Sequence, residues 1–380
     1  MTKDIYVQAR ADHVASLASA APLAAVEELI WNALDADARE VRVDLVTNAL
    51  GGIDAIRVTD DGTGIDILRA DETFGSLGGS WKRTDGATTA TRHRRLHGRH
   101  GRGRFKTFAL GCHVEWRTTM RAGGDLLSYV LSGDATEPGV FHVAPADGTG
   151  PASGTEVFVT GVHANVEALS DAAAAVQTLA AKFALYLKAY PDVSIFYCGL
   201  PVSPVIVQRR CTDYTVDLGD GQTAKLEVIE WRRRFPGTGR LVFCGRDGFA
   251  LHDRPAGVRP GWTYSFTAYL VSARFGELAA ENALVMDELH PEVRAYLDAA
   301  RRILRDHFRA RAAEDADARL AKWIAEKSYP FAADDTSPER AAFDAGVTEM
   351  RAHLDSFDSL PTSERTYLFS LLRKSLGGRV

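Results

Sequence analysis

The 380-residue sequence has no long apolar run, few cysteines and no excess of basic residues. No stretch approaches the ~20 apolar residues of a membrane-spanning helix, and residues 1–6 lack the apolar core of a secretion signal. The four cysteines, Cys112, Cys198, Cys211 and Cys244, form no CxxC pair. This argues against zinc and against a disulfide framework, and it favours buried thiols in a reducing compartment. We therefore expect a cytoplasmic protein with no membrane partner.

Charge and length limit the class of protein further. The 45 basic and 50 acidic residues give a net charge of −5, which excludes a generally basic nucleic-acid coat but leaves room for a local basic patch. A hydrophobic fraction of 46% with 25% charged residues is typical of a soluble globular protein. Because 380 residues exceed one ordinary core, we expect two domains, or two with an appendage.

Residues 25–36 combine an apolar face with a polar one. At 100° per residue, the apolar side chains fall on one side of a helix at i, i+3, i+4 and i+7. Glu28, Asn32 and Asp35 fall within a narrow arc on the opposite side. Two carboxylates and an amide suit a metal ion and a water molecule, although such a face on its own is more often simply solvated.

A glycine-containing turn follows a predicted hairpin of strands over residues 41–46 and 53–59. The turn is Asp60-Asp61-Gly62-Thr63-Gly64. Two glycines one residue apart let the backbone turn tightly and approach a ligand. An acidic residue there is placed to accept a hydrogen bond from the exocyclic amine of a base. Taken alone, D-x-G-x-G is more often an ordinary polar turn.

Residues 75–103 are rich in glycine and poor in apolar side chains, which is typical of a functional lid or a disordered segment. The segment ends in a GxxGxG pattern at 98–103, before a predicted helix over 105–110. Glycines that lead into a helix present free N–H groups to phosphate. A solvated loop and a DNA-backbone contact remain alternatives. The basic residues around the pattern add positive potential to this phosphate site: Arg92, Arg94, Arg95, Arg99, Arg102, Arg104 and Lys106.

Four patterns therefore stand in a fixed order: E-L-x-x-N-x-x-D-A at 28–36, D-x-G-x-G at 60–64, GxxGxG at 98–103 and G-T-x-V at 154–157. Together they resemble the Bergerat nucleotide-binding fold of the GHKL superfamily. That group holds gyrase B subunits, the ninety-kilodalton heat-shock chaperones, histidine kinases, MutL and the Microrchidia ATPases. The resemblance covers roughly residues 1–165 and implies binding of ATP and ADP with Mg²⁺, and hydrolysis of ATP.

The resemblance implies a role for each matching residue. Glu28 matches the general base that deprotonates the attacking water, and Asn32 matches the magnesium ligand one helical turn away. Phosphoryl transfer to water needs both charge neutralisation and a positioned base. Asp60 matches the carboxylate that reads the adenine amino group, and Thr155 matches the residue that supports the adenine pocket. Asp35, the third polar residue on this face of the helix, is also predicted to belong to the ATP site.

Glycine and basic residues complete the predicted ATP site. Gly62 and Gly64 are expected to allow close approach of the base, and Lys106 resembles a lysine that follows the lid glycines in Microrchidia-type members. Lys82 is a further lid candidate. The predicted phosphate-wrapping residues are Gly98, Arg99, His100, Gly101, Arg102 and Gly103.

A histidine-kinase-type domain is a disfavoured alternative. Histidine kinases share the asparagine and the glycine boxes, but they typically lack the catalytic glutamate and carry lysine at the position of Asp35. No phosphoacceptor histidine box is recognisable before the domain in these 380 residues.

The remaining chain is predicted to transmit the nucleotide state. A helix over 171–190 followed by six strands resembles the transducer domain of gyrase, MutL and Microrchidia proteins. The predicted strands cover residues 193–197, 205–209, 214–218, 225–231, 240–244 and 263–272. We therefore expect an α+β protein. Its parts are a Bergerat-fold α/β-sandwich ATPase domain at 1–165 with a lid at about 75–103, a transducer-like α/β domain at 166–290 and a helical segment at 291–380.

The resemblance also implies a working cycle. ATP closes the lid and drives formation of a homodimer, and hydrolysis reopens it, in a conformational cycle directed at DNA or at a protein client. The alternative is an ATP-gated chaperone or scaffold with negligible turnover.

Overall fold

A computed structural model describes most of the chain. The described residues are 3–6, 20–67, 88–89, 91–94, 96–97, 103–148, 150–219, 221–234, 238–246, 248–260, 264–354 and 357–377. They form two compact units, residues 1–300 and 301–380. Among the helices in these ranges, none is both long and apolar enough to cross a bilayer.

The first unit contains a nine-stranded sheet, counted over the described residues, in the order β1-β6-β5-β4-β7-β3-β2-β8-β9. Its strands are β1 (Lys3–Tyr6), β2 (Glu40–Thr47), β3 (Ile53–Asp60), β4 (Gly111–Ala122), β5 (Asp125–Asp134), β6 (Val140–Pro145), β7 (Gly154–Val162), β8 (Ser194–Tyr197) and β9 (Leu200–Pro201). Neighbouring strands are antiparallel, except that β2 and β8 run parallel. The predicted hairpin of β2 and β3 is confirmed.

Helix α1 (Pro22–Asp35) covers this sheet with its apolar face, as the spacing predicts. Pro22 stands in the first turn, where a missing N–H costs no helical hydrogen bond. Val26 and Ile30 are fully buried in the core that includes Val41 and Ile56 of the sheet. Burial of one face fixes the rotation of the helix, so its polar face is presented away from the sheet.

Two helices replace the single helix expected over 171–190. They are α3 (Ala172–Lys182) and α4 (Ala184–Ala189), and a short helix, α2 (Gly103–Lys106), precedes them in the chain. The break falls at Phe183, which is fully buried in the core of the first sheet. Leu185, two residues later, packs in the core of a second sheet. The break therefore lets one helical segment serve two cores.

The second sheet is mixed and has five strands among the described residues, in the order β10-β11-β14-β12-β13. They are β10 (Gln208–Asp217), β11 (Thr223–Trp231), β12 (Arg240–Cys244), β13 (Ala250–Pro255) and β14 (Ser265–Val271). Ile229 and Trp231 on one face pack against α3 and α4. The second sheet is thus bound to the helices that cover the first.

The strands in this region differ from the prediction in three ways: the sheet of one strand, the secondary structure of one segment and one strand that was not predicted. The strand near 193 is β8 and belongs to the first sheet, because Ser194–Tyr197 pairs in parallel with β2. Hydrophobic periodicity does not identify such a distant partner. Residues 205–207 lie in helix α5 (Pro204–Val207), which begins at a proline. Strand β13 is absent from the prediction because its sequence, ALHDRP, has little apolar character.

The chain then becomes helical. Helices α6 (Arg274–Ala280) and α7 (Ala283–Met286) lie in the first unit, and α8 (Pro291–Ala325) begins there and ends in the second. The second unit also holds α9 (Pro338–His353) and α10 (Thr362–Gly377), which lie within the helical segment expected over 291–380. Its core is largely aromatic and contains Trp323, Tyr329, Phe331, Phe343, Phe357 and Phe369.

All four cysteines are free, as predicted. The expectation that they are buried holds only for Cys244, since Cys112 and Cys198 are half-buried and Cys211 is exposed. Cys211 lies on β10, the edge strand of the second sheet, where side chains are less covered.

Candidate functional site

The polar face of α1 carries the three side chains singled out by their spacing. The Glu28 carboxylate accepts a hydrogen bond from Lys106 at 2.8 Å between Oε2 and Nζ. Asn32, one turn later, is exposed. Asp35 accepts the backbone N–H of His97 at 2.7 Å through Oδ1. The exposed amide of Asn32 therefore lies on this face between two carboxylates. These carboxylates bind Lys106 and His97, which lie at the end of the glycine-rich part of the chain.

The D-x-G-x-G turn is fixed against the C-terminal end of the same helix. The backbone N–H of Thr63 donates to the carbonyl of Ala36 at 2.7 Å, and the Thr63 hydroxyl donates to it at 3.2 Å. Asp61 has a structural role, because its Oδ1 accepts the backbone N–H groups of Arg39 and Glu40 at 2.7 and 2.8 Å. The first two sequence patterns are thus brought together in space.

Asp60 ends β3 and lies opposite Thr155 of β7 in the strand register. Its Oδ1 accepts the backbone N–H of Gly62 at 2.8 Å. Burial raises the pKa of the Asp60 carboxyl to about 7, although the backbone hydrogen bonds from Gly62 and Thr155 act in the opposite direction. Asp60 is therefore a carboxyl that exchanges its proton near neutral pH. Such shifts are frequent at functional sites.

Gly62 and Gly64 are required by local packing. A Cβ on Gly62 would lie 2.6 Å from the Ala36 carbonyl oxygen and 2.8 Å from the Asp60 carboxylate. Gly64 has φ +76°, and a Cβ there would lie 2.2 Å from the carbonyl oxygen of Thr119. The turn that presents Asp60 cannot form with larger residues at these positions.

Thr118 is a site residue that the sequence did not indicate. Its hydroxyl oxygen lies 3.1 Å from that of Thr155, and it accepts the backbone N–H of Ile65 at 2.8 Å. Both threonines are buried. Only the register between β4 and β7, which places Thr118 opposite Thr155, joins the two. This pair ties the strand of Thr155 to the chain after the D-x-G-x-G turn.

The structure describes residues 88–89, 91–94, 96–97 and 103 of the predicted lid. Lys82, Gly98, Arg99, His100, Gly101 and Arg102 lie outside the described residues. Gly103 begins α2 and Lys106 ends it. Phe105 and Phe108 next to Lys106 are buried in the core of the first sheet, and this anchoring places Lys106 beside Glu28.

Arg94 has a structural role, contrary to its interpretation as part of the positive field around phosphate. It is 2% exposed. One guanidinium nitrogen, Nη2, donates to the carbonyls of Asp37 and Ala38 at 2.9 and 2.8 Å, and Nη1 lies 3.3 Å from the Tyr186 hydroxyl. Arg92 pairs instead with Asp192 at 3.4 Å.

An aromatic cluster joins α1, residue 97 and the second sheet. The rings of Trp31 and His97 are stacked with centroids 4.1 Å apart and an interplanar angle of 8°. Phe249, in the connection between β12 and β13, lies 5.6 Å from Trp31 and 5.1 Å from His97 between centroids. A residue of the second-sheet region therefore contacts the helix that carries Glu28 and Asn32.

One other cluster among the described residues has metal-ligand chemistry: Cys211, Asp213 and Glu227. The Lys225 ammonium lies 2.8 Å from the Asp213 carboxylate and 3.1 Å from that of Glu227, and Lys188 lies 2.7 Å from Glu227. Two ammonium groups already balance these carboxylates, so the cluster needs no metal ion for charge compensation.

Comparison with known proteins agrees with this geometry. Residues 20–138 match the family model described as histidine kinase-, DNA gyrase B- and HSP90-like ATPase. The matched range includes α1, the D-x-G-x-G turn and the glycine pattern, and it ends before Thr155. No curated protein matches the sequence. The chain thus contains, at residues 20–138, a GHKL-type ATPase domain.

Proposed function

We propose that this chain is a magnesium-dependent ATPase in which one face of α1 carries the hydrolytic chemistry. The observation that best supports this proposal is that the Asp60 turn is hydrogen-bonded to the end of that helix, through Thr63 and Ala36. The attachment brings a base-recognition group and a hydrolytic group to one place. The family match of residues 20–138 supports the same reaction.

In the proposed reaction Glu28 is the general base that orients and deprotonates the attacking water. Lys106 holds the Glu28 carboxylate in place through the 2.8 Å contact. A positioned base of this kind accounts for a rate factor of ~10²–10⁴. The proton leaves the water for Glu28, and the water oxygen attacks the terminal phosphorus of ATP. The bond from that phosphorus to the bridging oxygen breaks, so that ADP and phosphate are released.

The residues of α1 fit a magnesium ion. Mg²⁺ prefers oxygen ligands and retains several waters, and Asn32 offers an exposed amide oxygen near the carboxylates of Glu28 and Asp35. Asn32 would hold the ion. When bound, the ion supplies neutralisation of the phosphate charge.

We assign adenine recognition to Asp60. Its ionised carboxylate accepts a hydrogen bond from the exocyclic amine, and Thr155 with Thr118 supports the pocket from the adjacent strands. The glycine-rich segment with Lys106 is proposed to wrap the phosphates, and Lys82 remains a candidate there. The other proposed phosphate contacts are Gly98, Arg99, His100, Gly101, Arg102 and Gly103.

We further propose that nucleotide binding closes the lid and brings two N-terminal domains together as a homodimer. The second sheet acts as a transducer in this scheme. The contact of Phe249 with Trp31 and His97 supports it, because the contact joins the second-sheet region to the catalytic helix. The resulting cycle acts on DNA or on a protein client, and hydrolysis reopens the lid.

Calorimetry and steady-state assays test the proposal. We expect ATP to bind in the presence of Mg²⁺ and to be hydrolysed, and Asp60→Ala to abolish binding. Stimulation of turnover by duplex DNA distinguishes a DNA-directed ATPase from a scaffold with negligible turnover. An unchanged monomer mass with a non-hydrolysable ATP analogue argues against dimerisation, and absence of any adenine-nucleotide affinity removes the proposal.

A further inference from the structure

Five arginines from two separate parts of the sequence meet at one end of the second sheet. Arg209 and Arg210 lie at the start of β10, and residues 232–234, all arginines, directly follow β11. The two strands are antiparallel, with Gln208 opposite Trp231 and a register shift before Arg210. Strand pairing therefore places the two arginine runs side by side.

Hydrogen bonds hold the two runs together. The backbone N–H of Arg232 donates to the carbonyl of Val207 at 3.0 Å. The Nε of Arg232 donates to the carbonyl of Gln208 at 3.1 Å. The arrangement is built into the end of the hairpin, so the local positive charge is fixed in position relative to the sheet.

Five positively charged side chains are concentrated at this end of the hairpin. All five arginine side chains are exposed. Across residues 205–212 and 228–234 the sequence contains a single acidic residue, Glu230, which is 1% exposed and lies opposite Arg210 in the register. The chain as a whole carries a net charge of −5. A concentrated positive patch on an acidic protein favours one directed contact with a polyanion over general binding.

The chemistry of the patch matches phosphate. Guanidinium groups bind phosphate oxygens through two parallel N–H donors and are more weakly hydrated than ammonium groups. Neighbouring strands lie about 4.8 Å apart and rise about 3.3 Å per residue, so five arginines occupy a compact area. Duplex DNA carries one negative charge per about 1.7 Å of its axis, so several phosphates fit such an area at once.

We propose that this arginine cluster, Arg209, Arg210, Arg232, Arg233 and Arg234, binds the phosphate backbone of duplex DNA. An anionic membrane is the competing surface. Basic membrane contacts rely on an amphipathic helix with a sizeable apolar face, whereas the four-residue helix α5 before the cluster exposes only Val205 and Ile206. This proposal identifies duplex DNA as the partner of the proposed ATPase cycle. Only an effect of DNA on ATP turnover would depend on the proposed ATPase function, because DNA binding itself does not require it.

DNA binding by the full chain, without nucleotide, tests the cluster alone. Anisotropy of a labelled duplex of about 30 base pairs is measured between about 50 and 200 mM salt, and we expect affinity to fall on the order of 10²-fold, as for about four phosphate contacts. The variant with all five arginines replaced by glutamine should bind at least about 30-fold more weakly at about 50 mM salt, with a salt slope closer to zero by about 3. The matched control neutralises exposed arginines of α8 and should bind as the unmodified chain does: Arg294→Gln, Arg302→Gln, Arg305→Gln and Arg309→Gln.

A variant with fewer substitutions provides the test if replacing all five arginines unfolds the sheet. Arg233→Gln with Arg234→Gln alters only residues beyond β11 and should weaken binding about fivefold or more. Undiminished DNA affinity in a folded variant overturns the proposal, as does binding to anionic phosphatidylserine vesicles without binding to DNA. Basal ATP hydrolysis should be unchanged in both variants. Absence of hydrolysis in the unmodified chain contradicts the proposed ATPase and leaves the DNA contact standing.

Discussion

The Lys106 ammonium lies 2.8 Å from the Glu28 carboxylate, and this ion pair joins the end of the glycine-rich segment to helix α1. Glu28 is 16% exposed and Lys106 is 32% exposed. The pair is therefore at the boundary of the site, where solvent weakens it less than on an open surface. It fixes the group proposed as the base before any substrate is bound.

Replacement of Glu28 should separate binding from hydrolysis. Glu28→Gln and Glu28→Ala remove the base but leave the Asp60 turn intact, so we expect ATP affinity to be retained and turnover to fall ~10²–10⁴-fold. The control is Glu27→Gln at the adjacent carboxyl, whose pKa is raised by burial; its turnover should stay within about threefold. Normal turnover in Glu28→Ala removes Glu28 from the reaction.

Replacement of Lys106 should show which group the ammonium serves. Lys106→Met keeps the length of the side chain and removes its charge, so turnover should fall about tenfold because the base loses its positioning partner. Lys106→Arg should restore part of it. A rise in the dissociation constant for ATP indicates a phosphate contact, whereas a fall in kcat alone indicates a role through Glu28. Unchanged binding and turnover in Lys106→Met contradict both roles.

The raised pKa of Asp60 predicts that the folded protein is less stable when this carboxyl is ionised, although the ionised form is the one proposed to bind adenine. The folded protein holds this proton up to about pH 7, whereas the ordinary pKa of an aspartate, 3.8, applies to the unfolded chain. Between these two pH values the folded state therefore binds more protons than the unfolded state. Stability is therefore lost as pH rises through this window, and the loss is complete above about pH 7. Asp60→Asn removes the loss, and at pH 8 it should raise the free energy of unfolding by about 1–3 kcal/mol.

Urea denaturation at pH 5 and pH 8 checks this prediction. The stabilisation by Asp60→Asn should be larger at pH 8, and nucleotide binding should be lost at both values. Because the variant is expected to be more stable, loss of binding cannot be attributed to unfolding. Equal effects at the two pH values would falsify the proposed titration of Asp60.

The sequence was sufficient for features that depend on local spacing. The buried face of α1, the hairpin of β2 and β3 and the carboxyl at Asp60 all follow from periodicity or from one short pattern. The pairings between distant segments of the chain could not be predicted from such local patterns. The parallel partner of β8 and the meeting of Thr118 with Thr155 depend on strand register across distant segments, which a single sequence does not specify.

The clustering of basic residues in the sequence was a poor predictor of their roles in the structure. Arg94 belongs to a basic cluster in the sequence, but in the structure its buried Nη2 donates to two backbone carbonyls inside the protein. The arginines at 209–210 and 232–234 showed no pattern in the sequence because 21 residues separate the two runs. Only the antiparallel pairing of β10 and β11 unites them.

The aromatic contact of Phe249 should contribute to both stability and turnover. Phe249→Ala removes a largely buried ring from the cluster with Trp31 and His97. We expect the free energy of unfolding to fall by about 3–5 kcal/mol. Turnover should fall more than about threefold with ATP affinity retained, because Trp31 lies beside Asn32 on α1. Leu251→Ala, a half-buried residue on β13, is the control for side-chain loss in this hairpin and should leave turnover unchanged. Equal turnover in both variants argues against coupling through the ring.

The burial of Arg94 predicts a purely structural role, in contrast to its neighbour Arg92. In Arg94→Met the carbonyls of Asp37 and Ala38 lose their donors, and the Asp37 carboxylate, 3.8 Å from Nε, loses the nearby positive charge. Removing one partner of such a buried arrangement costs about 3–5 kcal/mol. Arg92→Met breaks only the exposed contact with Asp192, which is worth at most about 1 kcal/mol.

Urea denaturation of the two variants measures this difference, and calorimetry at a temperature where Arg94→Met remains folded measures its ATP affinity. We expect that affinity to match the unmodified chain, because the Arg94 guanidinium is directed at backbone oxygens and is not available to phosphate. A folded Arg94→Met protein with markedly weaker ATP binding and little loss of stability contradicts the structural role. That result would return Arg94 to the phosphate site that its position beside the glycine pattern indicates.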